Sequence, residues 1–124
     1  MEVKILSVNT QGLGSIEKRI DIFNYLKSKQ CQIYCLQDIH STVANENFIR
    51  CQWGNECIFS SGTSNSRGTA ILFNKGFEYK IHSYKSCPQG NYIIVDLTVE
   101  NNRFMLINLY GPNIDSPEFY ETIY

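Results

Sequence analysis

An almost continuous apolar run, Ile33-Tyr34-Cys35-Leu36, stops abruptly on Gln37-Asp38, and no other feature constrains the fold as strongly. A strand that is apolar on both faces must be covered on both sides, as in the interior of an α/β sheet. Two further apolar segments stop in the same manner. Val3 to Val8 runs into Asn9-Thr10-Gln11-Gly12, and Phe104 to Leu109 runs into Tyr110-Gly111-Pro112-Asn113. Three strands that each deliver an amide, a carboxylate or a phenol at the C-terminal end predict a site assembled along one edge of a sheet core.

Between these strands the pattern alternates strand and helix at first and then becomes rich in strands. Gly12-Leu13-Gly14 turns the chain, Ser15 is the expected N-cap, and Ile16, Ile20, Phe23 and Leu26 recur at helical spacing as the face expected to cover the sheet. The mixed stretch from Ser41 to Trp53 predicts a short helix around Asn45 to Ile49, with Trp53 as an anchor for its loop. Glu56 to Ser60 and Gly68 to Phe73 flank a polar turn and read as a hairpin. Tyr79 to Tyr84 alternates like a strand with one wet face. Tyr92 to Val99 and Arg103 to Leu109 flank Glu100-Asn101-Asn102, where the asparagines suit the positive φ angles of a tight turn. Repeats, low-complexity runs and linkers are absent, which fits one domain or part of one.

The composition of the 124 residues is that of an ordered chain. Apolar residues make up 43% and aromatics 13%, which excludes intrinsic disorder. The formal net charge of −1 gives no overall basic excess to announce nucleic acid, which weakens a DNA-binding reading without refuting it. Taken alone, it describes an ordinary balanced surface. The N-terminal apolar run is too short for a signal peptide or an anchor. The five cysteines are irregularly spaced, with Cys31, Cys35 and Cys57 inside apolar runs, so reduced thiols in a nuclear or cytoplasmic compartment are expected. A zinc site from Cys51, Cys57, His82 and Cys87 is disfavoured, because no Cys-x-x-Cys pair exists.

Taken without relatives, Asp38 reads first as a helix cap or a loop acid. It is also the only acid at the end of a buried strand and so the best ligand for a hard cation. The order and wording of five segments settle the choice: Ser7 to Leu13, Cys35 to His40, Arg67 to Phe73, Gly90 to Val95, and Leu106 to Asn113. Together they resemble the endonuclease/exonuclease/phosphatase superfamily, in particular the endonuclease domain of LINE-type retrotransposon polyproteins, over nearly the whole chain. The resemblance implies part of a four-layer α/β sandwich of the DNase I type. Residues 1–124 would be the N-terminal portion of a single domain, holding the first sheet and its helices. It further implies hydrolysis of DNA phosphodiester bonds with one divalent ion, Mg²⁺ or Mn²⁺, in the complete parent.

Site roles follow from the same resemblance. Asp38 is the implied metal ligand, with Gln11 a weaker one. Tyr110 is the implied catalytic contact to the scissile phosphate, His40 and Asn113 support the site from behind, and Asn9, a catalytic candidate by its own chemistry, donates its amide to a phosphate oxygen or orients Asp38. Arg67 is a weak candidate for a phosphate contact beside its backbone role. The family usually has Glu where this chain has Asp38, and Asp or Asn where it has Gln11. Its later Gly-Asp-x-Asn and Ser-Asp-His motifs are missing here.

Ser116-Pro117-Glu118 reads as a helix start with too few residues after it to finish, so truncation is expected. The expectations that follow are an inactive fragment and self-association through an apolar sheet face left bare. Competing readings are a non-catalytic relic or interaction module of a mobile element, and a phosphatase of the same superfamily.

Overall fold

A computed structural model describes residues 3–63 and 66–110. In chain order the elements are β1 (Ile5–Asn9), α1 (Ile16–Lys29), β2 (Ile33–Gln37), a 3-10 turn (Val43–Asn45), α2 (Glu46–Trp53), β3 (Cys57–Ser60), β4 (Thr69–Phe73), β5 (Tyr79–Ser86), β6 (Tyr92–Val99) and β7 (Asn102–Leu109). They form two sheets. The first is mixed, in the order β1-β2-β4-β3, with β1 parallel to β2 and the other pairs antiparallel. The second is the antiparallel meander β5-β6-β7.

Alternation along β2 and β4 explains why both strands are buried throughout. Tyr34, Leu36, Ala70 and Leu72 point to a layer formed by α1 and α2, where they meet Phe23, Leu26, Ile49 and Trp53. Ile33, Cys35, Ile71 and Phe73 point the other way, onto Ile93, Val95, Leu97 and Val99 of β6. Each face of the first sheet therefore has its own core. This corrects the expectation of a bare face, because three strands of a second sheet cover the surface that was expected to be exposed.

Local chemistry explains the helix boundaries. Ser15 caps α1 by accepting from Lys18 N at 3.1 Å, as expected. The buried face of α1 differs from the expected one: Arg19, Phe23 and Leu26 are buried, whereas Ile16 and Ile20 are 63% and 46% exposed. Arg19 Nη1 donates to Leu13 O and Gly14 O at 2.8 and 3.2 Å, and Nε donates to Gln52 Oε1 at 2.8 Å. A guanidinium that satisfies loop carbonyls takes the position that a reading of apolar periodicity assigns to isoleucine.

The second helix runs through Trp53, beyond the expected Asn45 to Ile49, and stops where Gly54 adopts a left-handed conformation. Trp53 is a helix residue buried edge-on against Phe23 and Tyr34, and its Nε1 donates to Phe73 O at 2.9 Å. In the β6–β7 turn the positive φ belongs to Glu100, at 56°, rather than to either asparagine expected to carry it. The expected helix start at Ser116 and the candidate Asn113 lie outside the described residues.

Candidate active site

The site forms where strand pairing continues past the formal strand ends. Thr10 N, Gly12 N and Leu13 N donate to Gln37 O, Asp38 O and Ile39 O at 2.9, 2.6 and 2.9 Å. On the other side, Ile39 N and His40 N donate to Gly68 O and Arg67 O at 3.0 and 2.9 Å. Gly68 N then donates to Gly90 O at 3.0 Å, and Tyr110 N donates to Asn91 O at 2.7 Å. These bonds gather four loops, from both sheets, onto one rim.

That rim concentrates backbone strain. Four of the six described non-glycine residues with positive φ lie on it: Gln11 at 54°, Asp38 at 55°, His40 at 58° and Arg67 at 65°. Each such residue costs about 1–2 kcal/mol in an L-amino acid, and strained residues of this kind collect at functional sites. Gly12, at φ 95°, is required on a second ground. A Cβ there would lie 2.8 Å from His40 Nδ1, so the imidazole packs directly on the glycine.

Asp38 and His40 meet. His40 Nε2 donates to Asp38 Oδ1 at 2.8 Å, with both side chains about one-fifth exposed, which anchors the carboxylate through one oxygen and leaves the other without a hydrogen bond among the described residues. Asn9 is exposed at the end of β1, and its Oδ1 accepts from Gln11 N at 3.2 Å, a local turn bond that leaves the amide N–H groups for another partner. Gln11 is exposed, and its main-chain oxygen accepts from Lys18 Nζ at 3.0 Å. Tyr110 is half-buried at the end of β7. Arg67 contributes its main-chain oxygen to the rim.

Two residues that sequence reasoning passed over hold this arrangement together. Asn108, 1% exposed, sends Nδ2 to Leu36 O and Ala70 O at 3.0 and 2.8 Å, and its Oδ1 accepts from Gln37 Nε2 at 2.8 Å. Gln37 Nε2 also bonds Ser7 Oγ at 2.9 Å and Cys35 O at 3.2 Å. The signal was present in β7, where Phe104, Leu106 and Asn108 share the inward face and the third is polar. Beneath the same rim, Thr69 Oγ1 is buried with no hydrogen-bond partner among the described residues.

The donor set suits a hard cation. A single uncommitted carboxylate oxygen matches Mg²⁺, which keeps several waters and binds through one or two carboxylates together with substrate phosphate. Among the described residues, no group of three or more His, Cys, Asp or Glu comes together, so an all-protein cage is not what this rim offers.

No protein-family model matches the sequence. A transposon TX1 uncharacterized 149 kDa protein from Xenopus laevis is 22% identical over 125 residues, a match covering 99% of this chain and 10% of that protein. Among solved structures, the AP endonuclease LMAP from Leishmania major superimposes with a TM-score of 0.68 at 16% identity, over 97% of this chain and 43% of that one. The endonuclease domain of TRAS1, a telomere-specific non-LTR retrotransposon, superimposes with a TM-score of 0.64 at 13% identity, over 98% of this chain and 51% of that one. The chain thus spans a tenth of the transposon protein and about half of each solved structure. With two sheets and two helices among the described residues, it has the DNase I-like α/β fold and spans part of it.

Proposed function

We propose that residues 1–124 are the N-terminal portion of one endonuclease domain of retrotransposon type, whose complete form hydrolyses DNA phosphodiester bonds with Mg²⁺ or Mn²⁺. The observation that carries this reading is Asp38, held at a strand end in a left-handed conformation with one carboxylate oxygen anchored by His40. The likeness in fold to two endonucleases and in sequence to a transposon protein supports it. A bound Mg²⁺ would supply charge neutralisation at the phosphate and at the leaving oxygen.

The chain's own residues have separable tasks in this proposal. Asp38 Oδ2 holds the ion, and His40 keeps the carboxylate from rotating away. The Asn9 amide donates to a phosphate oxygen. The Tyr110 phenol donates to the scissile phosphate from the opposite sheet, and Arg67 adds a positive charge at the edge of the rim. In this reading Asp38 and His40 are engaged in holding the ion, and one metal ligand cannot replace the base and transition-state donors of the missing later motifs, so the chain by itself is inactive. A nuclear or cytoplasmic location fits five thiols that form no disulfide. Among the described residues, no helix is long and apolar enough to cross a membrane.

Nicking of supercoiled plasmid tests the proposal, using this chain and the parent polypeptide that contains it. Metal-dependent nicking by the parent, lost in Asp38→Ala, is the expected result. A parent equally active with Asp38→Ala would refute the assignment. Asp38-dependent nicking by the short chain would overturn its inactivity.

A further inference from the structure

A cavity of about 360 Å³ lies between the start of α1 and the outer side of α2, lined by Gly14, Ile16, Arg19, Asn45, Phe48 and Gln52. Its walls are apolar and open to solvent: Ile16 is 63% exposed and Phe48 is 72% exposed. Its floor is cationic. Arg19 is 5% exposed, and burial pulls its guanidinium below the ordinary arginine range. The partners of that charge are all neutral, namely Leu13 O, Gly14 O and Gln52 Oε1. Among the described residues no carboxylate pairs with it, and its second terminal nitrogen has no hydrogen-bond partner.

A buried, uncompensated guanidinium beneath an aromatic and an aliphatic wall selects a particular kind of occupant. It must be flat enough to lie against Phe48, and it must carry acceptor atoms on its edge for Arg19. A nucleobase has both properties. The cavity also connects to the candidate active site through two hydrogen bonds: Arg19 donates to Leu13 O, and Leu13 N donates to Ile39 O, beside Asp38. Gly14 lines the cavity and its neighbour Leu13 pairs with the loop that carries Asp38, so one short loop borders both places.

We infer that the cavity is a nucleobase subsite, in which an unpaired base of the bound DNA stacks on Phe48 and accepts from Arg19. The inference rests on the reading of the chain as part of a DNA endonuclease and names a substrate contact for it. It requires of that DNA a base free of its stack, as at an end, a gap or a distorted step.

The test is an NMR titration of the chain in EDTA with dAMP and, separately, with ribose 5-phosphate and phenylalaninamide. Base stacking on an aromatic side chain is worth about 1–3 kcal/mol, so Phe48→Ala is expected to weaken dAMP binding at least about fivefold. Shifts at Ile16, Phe48 and Gln52 with dAMP but not with ribose 5-phosphate support the subsite. It is overturned by shifts that are the same for both sugars, by no dAMP shift at these residues, or by an unchanged affinity in Phe48→Ala. A response to phenylalaninamide alone also overturns it and assigns the cavity to a protein side chain. Phe48 is exposed, so its variant should fold. The titration involves no metal and no cleavage, so its outcome and that of the Asp38 nicking assay can fail independently.

Discussion

Gln37 Nε2 donates to Asn108 Oδ1 at 2.8 Å, a bond between residues 71 positions apart that ties the end of β2 in the first sheet to β7 in the second. Asn108 then returns two donors to Leu36 O and Ala70 O, so one buried amide serves both sheets next to Asp38. Asn108→Ala leaves those buried groups without a partner and should cost about 2–4 kcal/mol, given that an unsatisfied buried group costs about 1–3. Urea denaturation measures the loss. Gln37→Met keeps the Asn108 donors in place and should cost less than half as much.

Gly12→Ala places a Cβ 2.8 Å from the His40 ring at a positive φ, so the imidazole must leave Asp38. Gly90→Ala is the harsher change, because its Cβ would meet backbone, Gly68 N at 2.6 Å and Gly62 N at 2.8 Å. Backbone cannot rotate aside as a ring can. Thermal melts should show Gly90→Ala losing clearly more stability than Gly12→Ala. The His40 ring signals should shift in Gly12→Ala.

If His40 holds the carboxylate for an ion, His40→Ala should weaken Mn²⁺ binding by about 10-fold, the lower end of what loss of a supporting bond behind a metal ligand costs. Paramagnetic broadening of the Ile39 and His40 amides is the readout, with position 40 followed at its new residue. Asp38→Ala should abolish the broadening. Asp38→Glu, which installs the residue usual in the family that this chain resembles, should retain it.

Burial pushes the Cys35 and Cys57 thiols up to about 12 from an ordinary 9.0. Well below pH 9 the thiols are neutral in both states, and their contribution to stability is complete. Above pH 9 the unfolded chain loses these protons while the folded chain keeps them, so stability falls with rising pH through about 12. The slope approaches about 1.4 kcal/mol per pH unit for each thiol. Denaturation at pH 8, 9 and 10 should show the decline steepening in the last interval, and Cys35→Ser/Cys57→Ser should flatten it. In the native protein at pH 8, Cys51 is exposed and should react with a thiol reagent before either buried thiol.

Self-association has a different origin from the one the sequence suggests. The inner face of the first sheet is covered, but among the described residues β7 is an outer strand of its sheet, and Met105 and Ile107 are 64% and 47% exposed on it. An open apolar edge of this kind invites pairing. Sedimentation should show concentration-dependent association, reduced by Met105→Lys/Ile107→Lys. A monomer at all concentrations would dismiss the idea.

Much of the fold was legible because the signals are local. The uninterrupted burial of Ile33 to Leu36, the Ser15 cap and the hairpin of β3 with β4 each depend on residues that lie close together in sequence. The burial of Arg19 in place of Ile16 and Ile20 was not legible, since it depends on loop carbonyls and on Gln52 from another helix. Trp53 was recognised as an anchor, yet its partners Phe23, Tyr34 and Phe73 O come from three other elements. At the site, the sequence singled out Asp38 and set His40 behind it as a support. It could not show their 2.8 Å contact, which requires two left-handed residues two positions apart.

By itself, then, the sequence determined which strands are buried and which of them end in polar groups, because alternation and capping are written in neighbouring residues. Only the tertiary structure decided that a second sheet covers the first and that Asn108 and Gln37 lock the two together. It alone left Arg19 with no carboxylate partner among the described residues, beside an open cavity. Those outcomes depend on bonds between residues far apart in the chain, and no local pattern encodes which distant carbonyl a buried amide or guanidinium will find.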